Sequence, residues 1–510
     1  MANPSLQIGN SNWAIKKDNL LGYSTAGTRF LPIPITMTRA SAGTRVNPQG
    51  LVETVELLGS ELVPDSDFIL TGTQAEETTG TYWTTGTDWS ISGGAATLNT
   101  ASGSSSLSSN TMSVTVGKLY RITINVSATS SGFRLYDSLG VVSYGLPLGE
   151  SVFYRTPSSS IYTVTPLGLA GASGIVTSVS VKEYQANDLA RVDYTGSTSS
   201  LLAEPQRTNL VTYSEDFSQW STNATITLNS AISPDGTQNA SLFSHSGGSF
   251  PQVALTGITF VSGADYSPSL YVKSDGTSQV QHSLLINNVV VNFTPTDEWV
   301  RVSDLIVSPD TSGSFVIAQN SGTSVAASFY IWGAQLESGS FPTSYIPTSG
   351  STVTRVQDQY SKTGISDKIN STEGVLFAEI AAFADNGTFR VLAISDGTNN
   401  NTLKLGYRSD SNAIYVEIKS ASAGQVFLIY TTTDITDFHK VAVKYKVNDF
   451  ALWVNGVKVL TDTSGNTPIG LNRIALDRGD GFSNFYGKVK QLQIFKTALT
   501  DSELATLTTI

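Results

Sequence analysis

In Leu119-Tyr-Arg-Ile-Thr-Ile-Asn-Val126 and again in Val176-Thr-Ser-Val-Ser-Val-Lys-Glu-Tyr184, apolar and polar residues alternate. A period of two belongs to a strand with one face in a core and the other in water. Long helices want Ala, Leu, Glu, Lys and Arg, whereas this chain keeps offering Val, Ile, Thr, Tyr and Phe between Gly, Asn, Asp and Ser, with only 14% of its residues charged. The fold class that follows is all-β: tandem β-sandwich or jelly-roll domains, an extended N-terminal arm and a short C-terminal helix. At 510 residues the chain exceeds one compact core, and about 150 residues per domain suggests three or four units.

The formal charge of −11 is spread without acidic blocks and basic stripes are missing, so nucleic acid is not an expected partner. The absence of cysteine excludes disulfides, thiolate metal sites and a Cys nucleophile. The first ten residues lack a basic region followed by an apolar run, which speaks against a secretory signal. No apolar stretch approaches the roughly 18 residues that a membrane-spanning helix needs, so membrane insertion is not expected either.

Residues 1–58 read as an extended arm. Pro32 and Pro34 interrupt the apolar stretch from Phe30 to Ile35, and two residues without a ladder donor belong on a sheet edge or along a partner surface. A β-rich unit follows at 59–186, then a linker at 187–207, a second unit at 208–345, a linker at 346–369 and a third unit at 370–510. The first two units read as divergent copies of one plan: Leu62, Val63, Asp67 and Phe68 recur as Leu210, Val211, Asp216 and Phe217. Trp89 and Trp220 are the expected counterparts, and Glu183 and Glu337 each end an alternating strand. In the third unit Asn455-Gly456 sits between two alternating runs and predicts a type I′ hairpin. Thr500-Asp-Ser-Glu503 is a capping box, with Leu499 and Leu504 placed as the staple across it.

The search for catalytic chemistry yields little. A glycosidase needs two carboxylates about 5–10 Å apart, which on strands means same-face partners. Glu379 and Glu417 each stand alone, and Glu76 and Glu77 sit in a Thr/Gly loop as solvated side chains. His245, His282 and His439 lie far apart in sequence without zinc-site spacing, and His439 reads as structural. No Gly-x-Ser-x-Gly elbow or phosphate loop occurs. The chain is therefore not expected to be an enzyme, and no cofactor is expected. Asp477-Arg-Gly-Asp480-Gly and Ser233-Pro-Asp235-Gly-Thr offer oxygen ligands of the kind calcium uses, but Asp-Gly is also a turn signal, and the turn is the preferred reading. Sugar binding needs an exposed aromatic face beside polar partners. Tyr82, Trp83 and Trp89 are the candidate glycan-binding residues, set against the alternative that Trp89 plugs the core at a strand start. Trp332 and Trp453 are expected in the core.

Three stretches resemble known families. Phe438-His-Lys-Val-Ala-Val-Lys-Tyr445, the Trp453–Lys458 hairpin and Phe485-Tyr-Gly-Lys-Val-Lys-Gln-Leu-Gln-Ile-Phe495 resemble concanavalin A-like sandwiches of the laminin-G or pentraxin type. Trp332-Gly-Ala-Gln-Leu-Glu337 and Pro342-Thr-Ser-Tyr-Ile-Pro-Thr348 resemble the carbohydrate-binding-module-like jelly rolls of bacteriophage structural proteins. Thr38-Arg-Ala-Ser-Ala-Gly-Thr-Arg-Val-Asn-Pro-Gln-Gly-Leu-Val-Glu53, Ala190-Arg-Val-Asp-Tyr194 and Leu202-Ala-Glu-Pro-Gln-Arg-Thr-Asn-Leu210 resemble a framework of the same phage proteins, with the first β unit inserted into it.

The resemblance implies a protein on the virion exterior, in a tail fibre, head fibre or related appendage. It would attach to other virion proteins through the arm, form a homo-oligomer with a trimer favoured, and adhere to host-surface or environmental glycans. A purely architectural role and a capsule depolymerase are the alternatives.

Overall fold

The computed structural model describes residues 2–9, 13–16, 19–26, 29–63, 65–68, 82–196, 198–277, 280–319 and 324–510. Glu76 and Glu77 lie outside the described residues. Among the described residues the architecture is strand upon strand, with a single α-helix at Asp501–Thr508, in agreement with the expected tandem sandwiches and short terminal helix. By its contacts the chain forms two compact units, Glu56–Ala186 and a larger one made of Met1–Val55 with Asn187–Ile510.

Glu56–Ala186 is a sandwich of a six-stranded and a five-stranded sheet. Its longest ladder joins Tyr120–Thr129 to Gly174–Gln185, the two runs whose alternation is plainest in the sequence. Tyr120, Ile122, Ile124 and Val126 enter the core with Val176, Val179 and Val181, while the residues between them face outward. The larger unit contains a second five-plus-six-stranded sandwich, centred on the ladder between Asp265–Ser274 and Ser324–Ser338.

It also contains the C-terminal sandwich. One sheet of that sandwich is built around Glu373–Ala382, which pairs with His439–Lys446 on one side and Gly487–Phe495 on the other. Asn455 and Gly456 both have positive φ (49° and 86°), as the predicted hairpin turn requires. The capping box of Thr500 and Glu503 is formed, and Leu499 and Leu504 pack with Trp453 against the outer face of that sheet.

The expected N-terminal arm requires correction. Leu6–Gly9 is a strand of the C-terminal sandwich, paired with Gly487–Phe495 in the register Leu6↔Ile494. Leu6, Ile8, Leu20, Ile35 and Met37 belong to its core. Arg29–Thr38 pairs with Asn19–Ala26 along most of its length and with Gln359–Lys362 at its end. The prolines do what their chemistry demands, because Pro32 and Pro34 stand opposite Tyr23 and Leu21 at alternate positions of the ladder. Alternate residues of an antiparallel strand turn their nitrogens the same way, so both prolines face the open side of an edge strand. The apolar alternation of Ile33, Ile35 and Met37 therefore acts as a strand signal that two prolines had obscured.

Candidate functional site

Arg39, Arg191 and Arg355 are buried together in the larger unit, each 1% exposed or less. A buried guanidinium is tolerated only with acceptors in place, and the acceptors come from distant parts of the chain. Asp358 takes Arg39 at 2.9 Å on one oxygen and Arg191 on the other, and the second oxygen also accepts the backbone N–H of Glu204 at 2.9 Å. Glu204 pairs with Arg191 at 2.6 Å and Arg355 at 3.0 Å, and accepts from both the N–H and the hydroxyl of Ser344 at 2.8 Å. Glu337, fully buried, accepts from the N–H of Thr343 at 2.7 Å, and the Thr343 hydroxyl in turn accepts from Arg355 at 3.0 Å. Burial alone would raise the Glu204 pKa, but Arg191 and Arg355 with the Ser344 donors hold it far below the usual carboxylate range.

Most members of this ionic hub come from the sequence strips singled out above, namely Arg39, Arg191, Glu204, Glu337, Thr343 and Ser344, while Arg355 and Asp358 lie outside them. The strips on either side of Glu56–Ala186 meet directly. Asp193 accepts from Val46 N–H at 2.9 Å, Tyr194 N–H donates to the Val46 carbonyl at 3.0 Å, and Arg191 donates to the Thr44 carbonyl at 3.0 Å.

A cleft of about 540 Å³ opens on this hub and shares Thr44, Glu204, Thr343 and Ser344 with it. The hairpin Thr44–Val46 and Val52–Thr54 supplies one wall. Asn47 shapes that hairpin by accepting the N–H groups of Gln49 and Leu51, with Gly50 at φ 82° where a side chain would be strained. The other walls bring the aromatic rings of Tyr194, Tyr271 and Phe383. Arg301 lies over the Tyr271 ring at 5.5 Å and donates to the Thr343 carbonyl at 2.7 Å and to Ser269 Oγ at 2.9 Å, while its Nε is buried without an acceptor. Lys488 completes the lining. Tyr194 and Tyr271 have no hydroxyl hydrogen bond, and Lys488 no ion pair, among the described residues. Aromatic faces with unsatisfied hydroxyl and cationic donors are what a polyhydroxylated ligand uses.

The carboxylates facing the cleft are already engaged. Glu204 is locked in its ion pairs, and Asp193 accepts the N–H groups of Val46 and Thr195. Elsewhere, Glu379 accepts from Gln491 at 2.8 Å and faces Lys490, and Glu417 accepts from Lys404 at 2.6 Å and lies near Lys419. Burial pushes the Glu417 pKa up, and the two lysines bring it down overall.

The sequence-predicted aromatic residues separate, with Trp83 on a strand of the five-stranded sheet and Trp89 on a strand of the six-stranded one. Trp83 is 1% exposed and donates its indole N–H to the Asp65 carbonyl, and Trp89 is 7% exposed against Phe133. Neither can present a stacking face, because in a period-two strand each points into the core; this corrects their candidacy and leaves Tyr82, 37% exposed, on the surface. Trp332 is buried under Tyr345 and Tyr271, and Trp453 under the terminal helix. The carboxylates offered for calcium make turns and pairs instead. Asp477 takes Arg473 through both oxygens, Asp480 takes Arg478, and Asp235 accepts from Ser233, Thr237 and Asn239. No group of three metal-ligating residues occurs among the described residues. His439 is buried between Thr432 Oγ1 at 2.6 Å and the Asp437 carbonyl at 2.9 Å.

Sequence reading missed the cleft and one histidine pair. His245 and His282 approach with their Nε2 atoms 3.3 Å apart. His282 Nδ1 donates to the Val280 carbonyl and Gly247 N–H donates to His245 Nδ1, which leaves His245 Nε2–H as the donor to His282 Nε2. All four ring nitrogens are satisfied only when both rings are neutral. No local signal announces this pair, since its members lie on strands of opposite sheets.

Residues 376–505 match the Laminin_G_3 family, described as the concanavalin A-like lectin/glucanases superfamily, which agrees with the C-terminal sandwich expected from the sequence. No curated protein sequence matches the chain. Among solved structures, it is similar to the CBM40 of Ruminococcus gnavus IT-sialidase bound to alpha2,6 sialyllactose, at 17% identity and TM-score 0.24, covering 27% of this chain and 84% of that one. It is also similar to the N-terminal CBM22-1-CBM22-2 tandem domain of Paenibacillus barcinonensis Xyn10C, at 13% identity and TM-score 0.20, covering 55% and 98% respectively.

Proposed function

We propose that this chain is a non-catalytic, glycan-binding structural protein of a bacteriophage particle, displayed on the virion exterior in a tail or head fibre or a related appendage. The observation that carries the binding role is the cleft, where Tyr194, Tyr271 and Phe383 surround hydroxyl and cationic donors that the protein itself leaves unused. The concanavalin A-like match of residues 376–505 supports a lectin-type setting. The non-catalytic reading is supported by Glu204, which ion pairs hold too acidic to protonate a leaving group near neutral pH. Support for the virion setting comes from the phage-like strips, which supply most of the ionic hub.

A glycan array of the purified chain, with Tyr194→Ala and Tyr271→Ala beside it, tests the binding role. Glycans retained by the wild type and lost by both variants support it, whereas no binding at all leaves the architectural role in its place. Release of reducing ends from host polysaccharide would overturn the non-catalytic reading. Immunogold microscopy of phage particles tests the virion placement.

A further inference from the structure

We infer that the cleft selects an acidic sugar and that Arg301 and Lys488 receive its negatively charged group; this rests on the cleft being the glycan site. Most charges around the cleft are already compensated. Arg45 is paired with Glu53 at 2.8 Å, and Glu204 is held by two arginines. Asp193 has both oxygens turned to backbone N–H groups. Arg301 and Lys488 line the cleft with no carboxylate within ion-pair distance among the described residues.

In a chain of net charge −11, a cleft wall left with two uncompensated cations against the single unpaired carboxylate of Asp193 is a local reversal of sign. Arg301 adds a more specific reason. Its contacts with Thr343 and Ser269 fix the guanidinium in place over Tyr271, and its Nε–H is buried without an acceptor. A charged acceptor returns more to a guanidinium held in this way than a neutral hydroxyl does. A fixed guanidinium beside an aromatic ring and free tyrosine hydroxyls suits a pyranose carrying a carboxylate, with the ring face on an aromatic residue and the acid on the cations.

Isothermal titration of the full chain with oligogalacturonate and oligomannuronate, and with their carboxyl-reduced counterparts, tests this. The acidic forms are expected to bind about tenfold more tightly than the reduced ones, with affinity falling as salt rises. Arg301→Gln and Lys488→Gln are each expected to lose about tenfold toward the acid and nothing toward a neutral sugar. Lys488→Gln keeps the test meaningful if Arg301→Gln disturbs folding, because Lys488 holds no other side chain. Equal binding of acidic and reduced sugars, with both variants silent, overturns the inference while leaving the cleft as a glycan site. Failure of every acidic and neutral sugar, together with a blank array, overturns both.

Discussion

The sandwiches at 56–186 and 208–345 share their local plan and differ in how they end. Each sets a phenylalanine against a tryptophan at 5.1 Å, Phe68 with Trp83 and Phe217 with Trp220. Each indole N–H donates to an upstream carbonyl, Asp65 at 3.1 Å and Tyr213 at 3.0 Å. In each, a tyrosine hydroxyl accepts the backbone N–H five residues earlier at 2.8 Å: Tyr120 from Thr115 and Tyr266 from Val261. Trp83, and not Trp89, is thus the counterpart of Trp220. The last strands diverge. The Glu183 side chain is 40% exposed and pairs loosely with Lys118 at 3.4 Å, whereas Glu337 is fully buried beside the ionic hub. One plan therefore serves a sandwich whose final strand ends on a solvated carboxylate and another whose final strand ends on a buried one wired into an ionic hub.

The hub is where that contrast should break most visibly. Asp358→Ala leaves Arg39 and Arg191 without their shared carboxylate, and removing one partner of a buried pair costs about 3–5 kcal/mol. Urea unfolding followed by segment-resolved hydrogen exchange should show the larger unit destabilised by that amount, with the strands of 56–186 unchanged. Equal loss of protection in the strands of 56–186 would overturn this expectation.

Acid should separate the sandwiches next. Burial pushes the His282 pKa down to about 4, and burial also lowers that of His245. The folded state thus binds fewer protons than the unfolded one between about pH 6.5 and 4, and stability must fall as pH drops through that window. Between pH 7.5 and 5 the loss should be about 2 kcal/mol, sensed at His282–Ile286 and much reduced by His282→Leu. The sandwich at 56–186 has no histidine and should not respond through this route. A flat urea midpoint across that pH range would dispose of the neutral-pair assignment.

Tyr120→Phe and Tyr266→Phe probe what the two sandwiches share. Each strips the acceptor from one backbone N–H, at a cost of about 1–2 kcal/mol, and the two should match. Unequal costs would mean that the plan is not common to both. Glu183→Ala should be the mildest change, below about 1 kcal/mol, because its ion pair is solvated. A large loss there would erase the contrast with Glu337.

Much of the fold was legible locally. Period-two alternation marked the long strands, Asn455-Gly456 marked a hairpin, and Thr500 with Glu503 marked the only α-helix of the described residues. The N-terminal strands escaped because prolines mask the alternation of Ile33, Ile35 and Met37, and their edge position shows only once the register is known. The site was less legible. Tyr82, Trp83 and Trp89 looked like a surface aromatic group because the turn-like composition around them concealed the strands that bury two of them. Tyr194, Tyr271, Phe383, Arg301 and Lys488 carry no shared spacing, since each reaches the cleft from a different segment.

By itself, then, the sequence determined the fold class, the sandwich cores and the turns, because those follow from alternation and from residues that fix φ within a few positions. The tertiary structure alone decided where the charges balance and where a ligand fits. Arg39 meets Asp358 across 319 residues of chain, and Arg191 meets Glu204 only because strips on both sides of an intervening sandwich return to one place. Electrostatic partners are set by distance in space, and a cleft is a property of surfaces that do not exist until the sheets have packed.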